Sequence, residues 1–192
     1  MALILASTSA IRLQMLESAG VAVEGVAPGV DEAALKGGAD SKATALLLAE
    51  AKARAVSAKR PGEWTIGGDS LVSVDGLLFD KPRDREQAAE HLRLFSDKPL
   101  RLVSAAALAL DGRVDWSHVD EAVLQVRDLS EGFIASYLEA EWPDVAYCVG
   151  VFRMEGRGAQ LFSAIEGSHF TILGLPLLPL LDALRERRLI AT

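Results

Sequence analysis

The chain has 192 residues, half of them hydrophobic, with a formal net charge of −7 and one cysteine, Cys148. That length suits a single domain over 1–192, or two lobes around one core. The lone cysteine excludes an internal disulfide and fits a reducing, cytoplasmic setting. The acidic balance argues against broad binding to DNA or RNA duplexes, which needs a basic surface. The most apolar run, Leu173 to Leu184, contains two prolines and Asp182 and is too short to span a membrane.

Met1 to Ala6 lacks a basic stretch and reads as a first strand at Leu3–Ala6, not as a signal peptide. Ser7-Thr8-Ser9 follows, with Ser9 placed to cap a helix that ends near Gly20. Val21 to Val26 reads as a second strand, and Pro28 to Glu32 as a loop ending in two acids. A long helix is expected over Ser41 to Ala58, stopped by Pro61-Gly62. Trp64 to Ile66 is a strand running into Gly67-Gly68-Asp69. Leu71 to Val74 and Leu77 to Phe79 pair as a hairpin around Asp75-Gly76. Lys81-Pro82 precedes a helix from about Asp84 to Phe95, where Asp84 and Gln87 have capping-box spacing. Leu100 to Leu110 and the segment from Arg113 form a second hairpin around Asp111-Gly112, extended by Val123 to Val126. Ser130 to Ala140 is helical, strands are expected near Leu161 and Phe170, and a last helix ends in Arg185, Arg187 and Arg188, which suit its C-terminal dipole. Strands alternating with helices and interrupted by two hairpins indicate an α/β fold with a mixed sheet.

Two cations stand where apolar residues belong. At about 100° per residue, Ala45, Leu48, Ala49 and Val56 share one helix face with Lys52 in its middle, and Glu50, Arg54 and Ser57 lie opposite. Arg12 sits among Met15, Leu16 and Ala19, in the first turn of its helix, where the dipole favours an anion. Snorkelling to the surface accounts for either residue alone. Both together, beside a Ser-Thr-Ser turn, point to an anion site such as a phosphate. Asp69 follows a buried strand and two glycines that allow close approach of a ligand. Asp31 and Glu32 are solvated loop acids or, with Asp69, ligands for a Mg²⁺-like ion.

Gly68-Asp69-Ser70-Leu71 also spells the signature of the GDSL esterases, with Ser70 as nucleophile, and Asp115-Trp116-Ser117-His118 matches their Asp-x-x-His element. Both blocks stand at the wrong places in the chain for that family. The chain also contains no asparagine for its oxyanion hole. His91 and His169 show no zinc spacing, and neither a Walker A motif nor a complete dinucleotide fingerprint is present.

Leu3-Ile4-Leu5-Ala6-Ser7-Thr8-Ser9 followed by Arg12 resembles the N-terminal signature of the Maf family. The resemblance continues in order through Asp31-Glu32, Ala51-Lys52-Ala53, Gly68-Asp69, Lys81-Pro82, Glu155-Gly156, Ile165-Glu166-Gly167-Ser168 and Gly174-Leu175-Pro176. It implies a fold similar to the inosine triphosphatases: an elongated mixed β-sheet flanked by helices, in two lobes with a central nucleotide cleft. It implies a cytoplasmic homodimer that hydrolyses a nucleoside triphosphate to a monophosphate and pyrophosphate with a divalent metal (Mg²⁺, Mn²⁺ or Co²⁺). By the same resemblance Asp69 is the catalytic proton acceptor, Ser7, Arg12, Lys52 and Lys81 line the phosphates, Glu32 and Asp69 serve the metal, and Ser70 lies near the base.

Ala10 and Ile11 depart from the proline and arginine common in the family. Glu155, where many members have glutamine, resembles the branch acting on 7-methyl-GTP. A carboxylate can accept the N1–H and exocyclic amine of guanine together, whereas a buried carboxylate facing a uracil or thymine carbonyl costs about 1–3 kcal/mol or more. Alternatively Glu155 pairs with metal, Arg153 or Arg157. A dTTP/UTP pyrophosphatase of the same family, a GDSL-type esterase and a non-enzymatic regulator of cell division through septum formation are the competing functions.

Overall fold

A computed structural model describes residues 3–36 and 40–191. Met1 and Ala2, the start of the expected first segment, lie outside the described residues. In chain order the elements are β1 (Leu3–Ala6), α1 (Ala10–Ser18), β2 (Glu24–Gly25), α2 (Glu32–Leu35), α3 (Ser41–Ser57), β3 (Trp64–Val74), β4 (Leu77–Phe79) and α4 (Arg85–Phe95). They continue as β5 (Pro99–Leu110), β6 (Arg113–Val126), α5 (Glu131–Glu141), β7 (Phe162–Glu166), α6 (His169–Leu173) and α7 (Leu177–Glu186), with 3₁₀ turns at Asp144–Tyr147 and Arg157–Leu161. Among the described residues seven strands form one mixed sheet in the order β2-β1-β3-β5-β6-β7, with β4 beside β3. β1 runs parallel to β2 and β3, while the pairs β3–β4 and β6–β7 are antiparallel. Among the described residues no helix is long and apolar enough to cross a membrane.

The chain divides into two compact units. The first comprises Met1–Ser70, Val103–Asp120 and Ser168–Thr192. Its β1 is buried along its whole length, as a parallel strand covered on both faces must be. Leu3 and Leu5 join a core with Met15, Leu16, Ile66, Leu180 and Leu184, and Ile4 and Ala6 pack with Val56 of α3. Alternation along a strand thus anchors α1 and α7 on one face and α3 on the other. The second unit comprises Leu71–Leu102 and Glu121–Gly167. There α4 packs on α5, and Phe79 meets Phe95 and His91 edge-on at centroid distances of 4.8 and 5.1 Å.

Both hairpins turn on Asp-Gly pairs with positive φ, 52° and 79° at Asp75-Gly76 and 49° and 76° at Asp111-Gly112, the geometry that follows strand twist. Several expectations change. The two strands expected on either side of Gly67-Gly68-Asp69 are one 11-residue strand, β3. The strand expected over Val21 to Val26 shrinks to the two residues of β2, which pair with Ile4 and Leu5. Phe170 lies in a helix, α6, because Ser168 Oγ accepts from Phe170 N at 3.2 Å and Gly174, at φ 109°, ends the helix. Ser57 is fully buried; its hydroxyl accepts from Gly112 N at 3.0 Å. Asp84 Oδ1 accepts from Gln87 N at 2.8 Å, but Gln87 Oε1 accepts from Arg83 N rather than completing the box on Asp84.

Candidate functional site

Two glycines in β3 create the site of the first unit. Gly67 faces α3, and a Cβ there would stand 2.1 Å from the Ala49 carbonyl oxygen and 2.7 Å from the Ala53 nitrogen. The helix therefore lies directly on the strand backbone. Lys52 shares the Ala49–Ala53 face, and Asp69 shares the Gly67 face of β3. Lys52 Nζ accordingly donates to Asp69 Oδ1 at 2.6 Å and lies 2.7 Å from Glu32 Oε1. Lys52 and Asp69 are 6% and 5% exposed. The anomalous lysine of α3 is thus a buried ion pair, with Glu32 as a more exposed second carboxylate.

Gly68 points to the opposite face, where a Cβ would stand 2.8 Å from Leu175 Cδ2 and 3.5 Å from Arg12 Cδ. The space it leaves admits the guanidinium of Arg12. Arg12 Nε donates to the Gly174 carbonyl at 2.8 Å, and Nη1 donates to the Gly68 carbonyl at 3.0 Å and to Ser7 Oγ at 3.4 Å. Nη2 donates to Ser70 Oγ at 2.9 Å. These protein oxygens explain how α1 tolerates a cation in its first turn. Burial holds Arg12 below its ordinary pKa, opposed by the negative charges of Asp69 and Glu32. Ser9 sits at the N-cap of α1 without bonding through its side chain, and Ser9 N instead donates to Ser7 Oγ at 3.1 Å. Asp31 caps α2, accepting from Ala34 N at 3.3 Å.

The first unit therefore brings together Ser7, Arg12, Glu32, Lys52, Asp69 and Ser70. Two residues to which the sequence assigned no role at the site join them. Ser104 of β5 bonds Ser70 at 2.8 Å and donates to the Thr171 carbonyl at 2.7 Å, and Gly174 supplies its carbonyl to Arg12. The signal for Ser104 was a hydroxyl inside the apolar run Leu102 to Leu108.

The Ser70 environment does not form an esterase triad. Its partners are Arg12, Ser104 and, at 3.4 Å, the Gly174 carbonyl. His118 pairs with Asp120 at 3.0 Å, and Asp115 pairs with Arg187. The Asp-x-x-His spacing thus serves two unrelated surface contacts.

Lys81 and Glu155 belong to the second unit, and both are exposed. Their charges both act on Cys148, whose thiol burial pushes up to about 11. Arg153 spends its fork elsewhere: Nε and Nη2 donate to Glu141 Oε2 at 3.2 and 3.0 Å, and Nη1 lies 2.9 Å from Asp144 Oδ2. Glu141 is buried, so this pair ties the backbone before Glu155 to α5. Val151, at φ 57°, is a β-branched residue in the left-handed region. Tyr137 Oη holds its carbonyl at 3.0 Å.

The residues that would hold a divalent cation are Asp69 and Glu32. Among the described residues no three His, Cys, Asp or Glu side chains gather as a closed metal cage. Asp69 Oδ2, however, is buried without a hydrogen-bond partner among the described residues, and Glu32 shares Lys52 with it. One or two carboxylates completed by water and phosphate oxygens suit Mg²⁺-like ions.

Comparison with known proteins gives a consistent result. The family model described as Maf-like protein matches residues 2–187. A protein of Hyphomonas neptunium named nucleoside triphosphate pyrophosphatase is 45% identical over 197 residues, covering 100% of this chain and 99% of the relative. One of Rhizobium etli named 7-methyl-GTP pyrophosphatase is 46% identical over 189 residues, covering 96% and 95%. A solved dITP/XTP pyrophosphatase of Mycobacterium abscessus is 24% identical over 67% of this chain and 76% of its own, with a TM-score of 0.41, too low to compare sites.

Proposed function

The chain belongs to the Maf-like protein family, and on that footing we propose that it hydrolyses a nucleoside triphosphate to a monophosphate and pyrophosphate. The observation that carries this is the Asp69 carboxylate: buried, with Oδ1 held by Lys52 at 2.6 Å and Oδ2 without a partner among the described residues. In the proposed reaction the oxygen of a water bonds to the α-phosphorus. The bond from that phosphorus to the α–β bridging oxygen breaks, and its electron pair leaves with pyrophosphate. Asp69 orients or deprotonates that water, as general base. Lys52 offsets charge on the departing group. Arg12 fixes Ser7, the Gly68 carbonyl and Ser70 rather than standing free. Asp69 and Glu32 would hold a divalent ion, which would supply Lewis-acid neutralisation of phosphate charge.

The test is a panel of nucleoside triphosphates assayed for pyrophosphate. Release of pyrophosphate with monophosphate is expected, lost in excess EDTA and restored by Mg²⁺ or Mn²⁺. Release of orthophosphate and a diphosphate would overturn the α–β cleavage.

We assign guanine recognition, with 7-methyl-GTP as the leading substrate, to Glu155. Relatives with the two names are almost equally similar, so identity leaves the base open and chemistry supports the choice. Arg153 is engaged by Glu141 and Asp144, and the exposed Glu155 carboxylate can accept from two donors on a base. Glu155→Gln is expected to lower kcat/KM for guanine nucleotides about tenfold or more and to raise it for UTP or dTTP. An unchanged preference across the panel removes Glu155 from base recognition.

A further inference from the structure

Ser104 has no part in the reaction proposed above, yet it is fully buried in β5 and makes two short hydrogen bonds. A serine hydroxyl carries one proton and two acceptor lone pairs. The Thr171 carbonyl, 2.7 Å away, only accepts, so the Ser104 proton lies on that line. In the 2.8 Å contact between the two hydroxyls, Ser70 is then the donor. On its other side Ser70 Oγ takes a hydrogen bond from Arg12 Nη2 at 2.9 Å, and a guanidinium only donates. The direction is fixed from both ends: Arg12 to Ser70, Ser70 to Ser104, Ser104 to the Thr171 carbonyl. The Gly174 carbonyl, 3.4 Å from Ser70 Oγ, lies outside the ordinary O–H···O range and already takes Arg12 Nε at 2.8 Å.

Ser70 is half-buried. Its proton is turned inward, one lone pair is occupied, and one remains. We infer that Ser104 is a positioning residue that holds Ser70 as an obligate hydrogen-bond acceptor. The Ser70 face of the site then takes a donor of the nucleotide, such as a ring N–H, an exocyclic amine or a sugar hydroxyl, and rejects a bare carbonyl. The ligand's identity rests on the pyrophosphatase reading; the direction of the proton does not. The same direction explains why Ser70 is no nucleophile: its proton goes to a hydroxyl that cannot act as a base.

Neutron diffraction from the deuterated full chain tests the direction. A deuteron on Ser70 Oγ pointing at Ser104 is expected; one on Ser104 Oγ pointing at Ser70 overturns the inference, whatever the substrate. Kinetics tests the positioning. Ser104→Ala is expected to raise KM for the best nucleotide about tenfold with kcat within about twofold. Ser104→Thr keeps the hydroxyl and restores KM. In a Ser70→Ala background, Ser104→Ala adds nothing further. An unchanged KM in Ser104→Ala, or an undiminished effect in the Ser70→Ala background, defeats the positioning role. If wild type releases pyrophosphate from no nucleotide, the pyrophosphatase reading fails and the neutron result alone decides the direction.

Discussion

Asp69→Asn lowers kcat for pyrophosphate release by about 10³-fold while the protein keeps its fold, within the range a positioned general base contributes. The substitution is nearly isosteric. Asparagine retains an oxygen for Lys52, which also keeps Glu32 at 2.7 Å. What disappears is the capacity of Oδ2, buried and unpartnered among the described residues, to take a proton. The change is therefore read in kcat and not in the melting temperature, which stays within a few degrees. Circular dichroism melts run beside a pyrophosphate assay separate the two. A variant with near-normal kcat would mean that the water is activated elsewhere.

Lys52→Met affects both stability and activity. The lysine and Asp69 are each almost inaccessible, so removing the ammonium strands a buried carboxylate. Loss of one partner from such a pair typically costs about 3–5 kcal/mol. At about 3 °C per kcal/mol for a chain of this size, the melting temperature should fall by about 10 °C, with activity abolished. The double variant Lys52→Met, Asp69→Leu should regain most of that stability and remain inactive, because a well-packed apolar pair can replace a buried ion pair. Full stability in the single Lys52→Met variant would show that solvent reaches Asp69, and the proposed environment of the base would be wrong.

Legibility in the sequence followed how local the deciding interaction was. α3 could be read directly, since a helical stripe carries its own period, and β1 because its apolar run is bounded at once by the turn-forming Ser-Thr-Ser. The Asp-Gly turns announced themselves by turn chemistry. Lys52 and Arg12 were visible because each contradicted its helix face. Their partners were not, since Arg12 bonds positions 56, 58 and 162 residues away, and no window along the chain contains them. The first-turn arginine suggested a bound phosphate, and the protein carbonyls and hydroxyls that also take its donors lie too far along the chain to be foreseen. Phe170 misled for a related reason: a short apolar stretch has no decisive period, and the cap and stop of α6 lie at its flanks. β2 was overdrawn because its length depends on where β1 stops, and Ser57 looked solvated because Gly112 N reaches it from another hairpin. Ser104 could be noticed as a polar interruption, but its direction required three other residues.

The paired glycines ahead of Asp69 have a practical corollary. Because Ala49 and Ala53 rest on main chain at Gly67, the carboxylate's position on that face is gauged by peptide groups and short side chains rather than by long, adjustable ones. Drift in the apolar interior should leave that spacing untouched. Variation in catalytic rate among close homologues would then arise where side chains meet the nucleotide, not from resizing of the strand–helix seam.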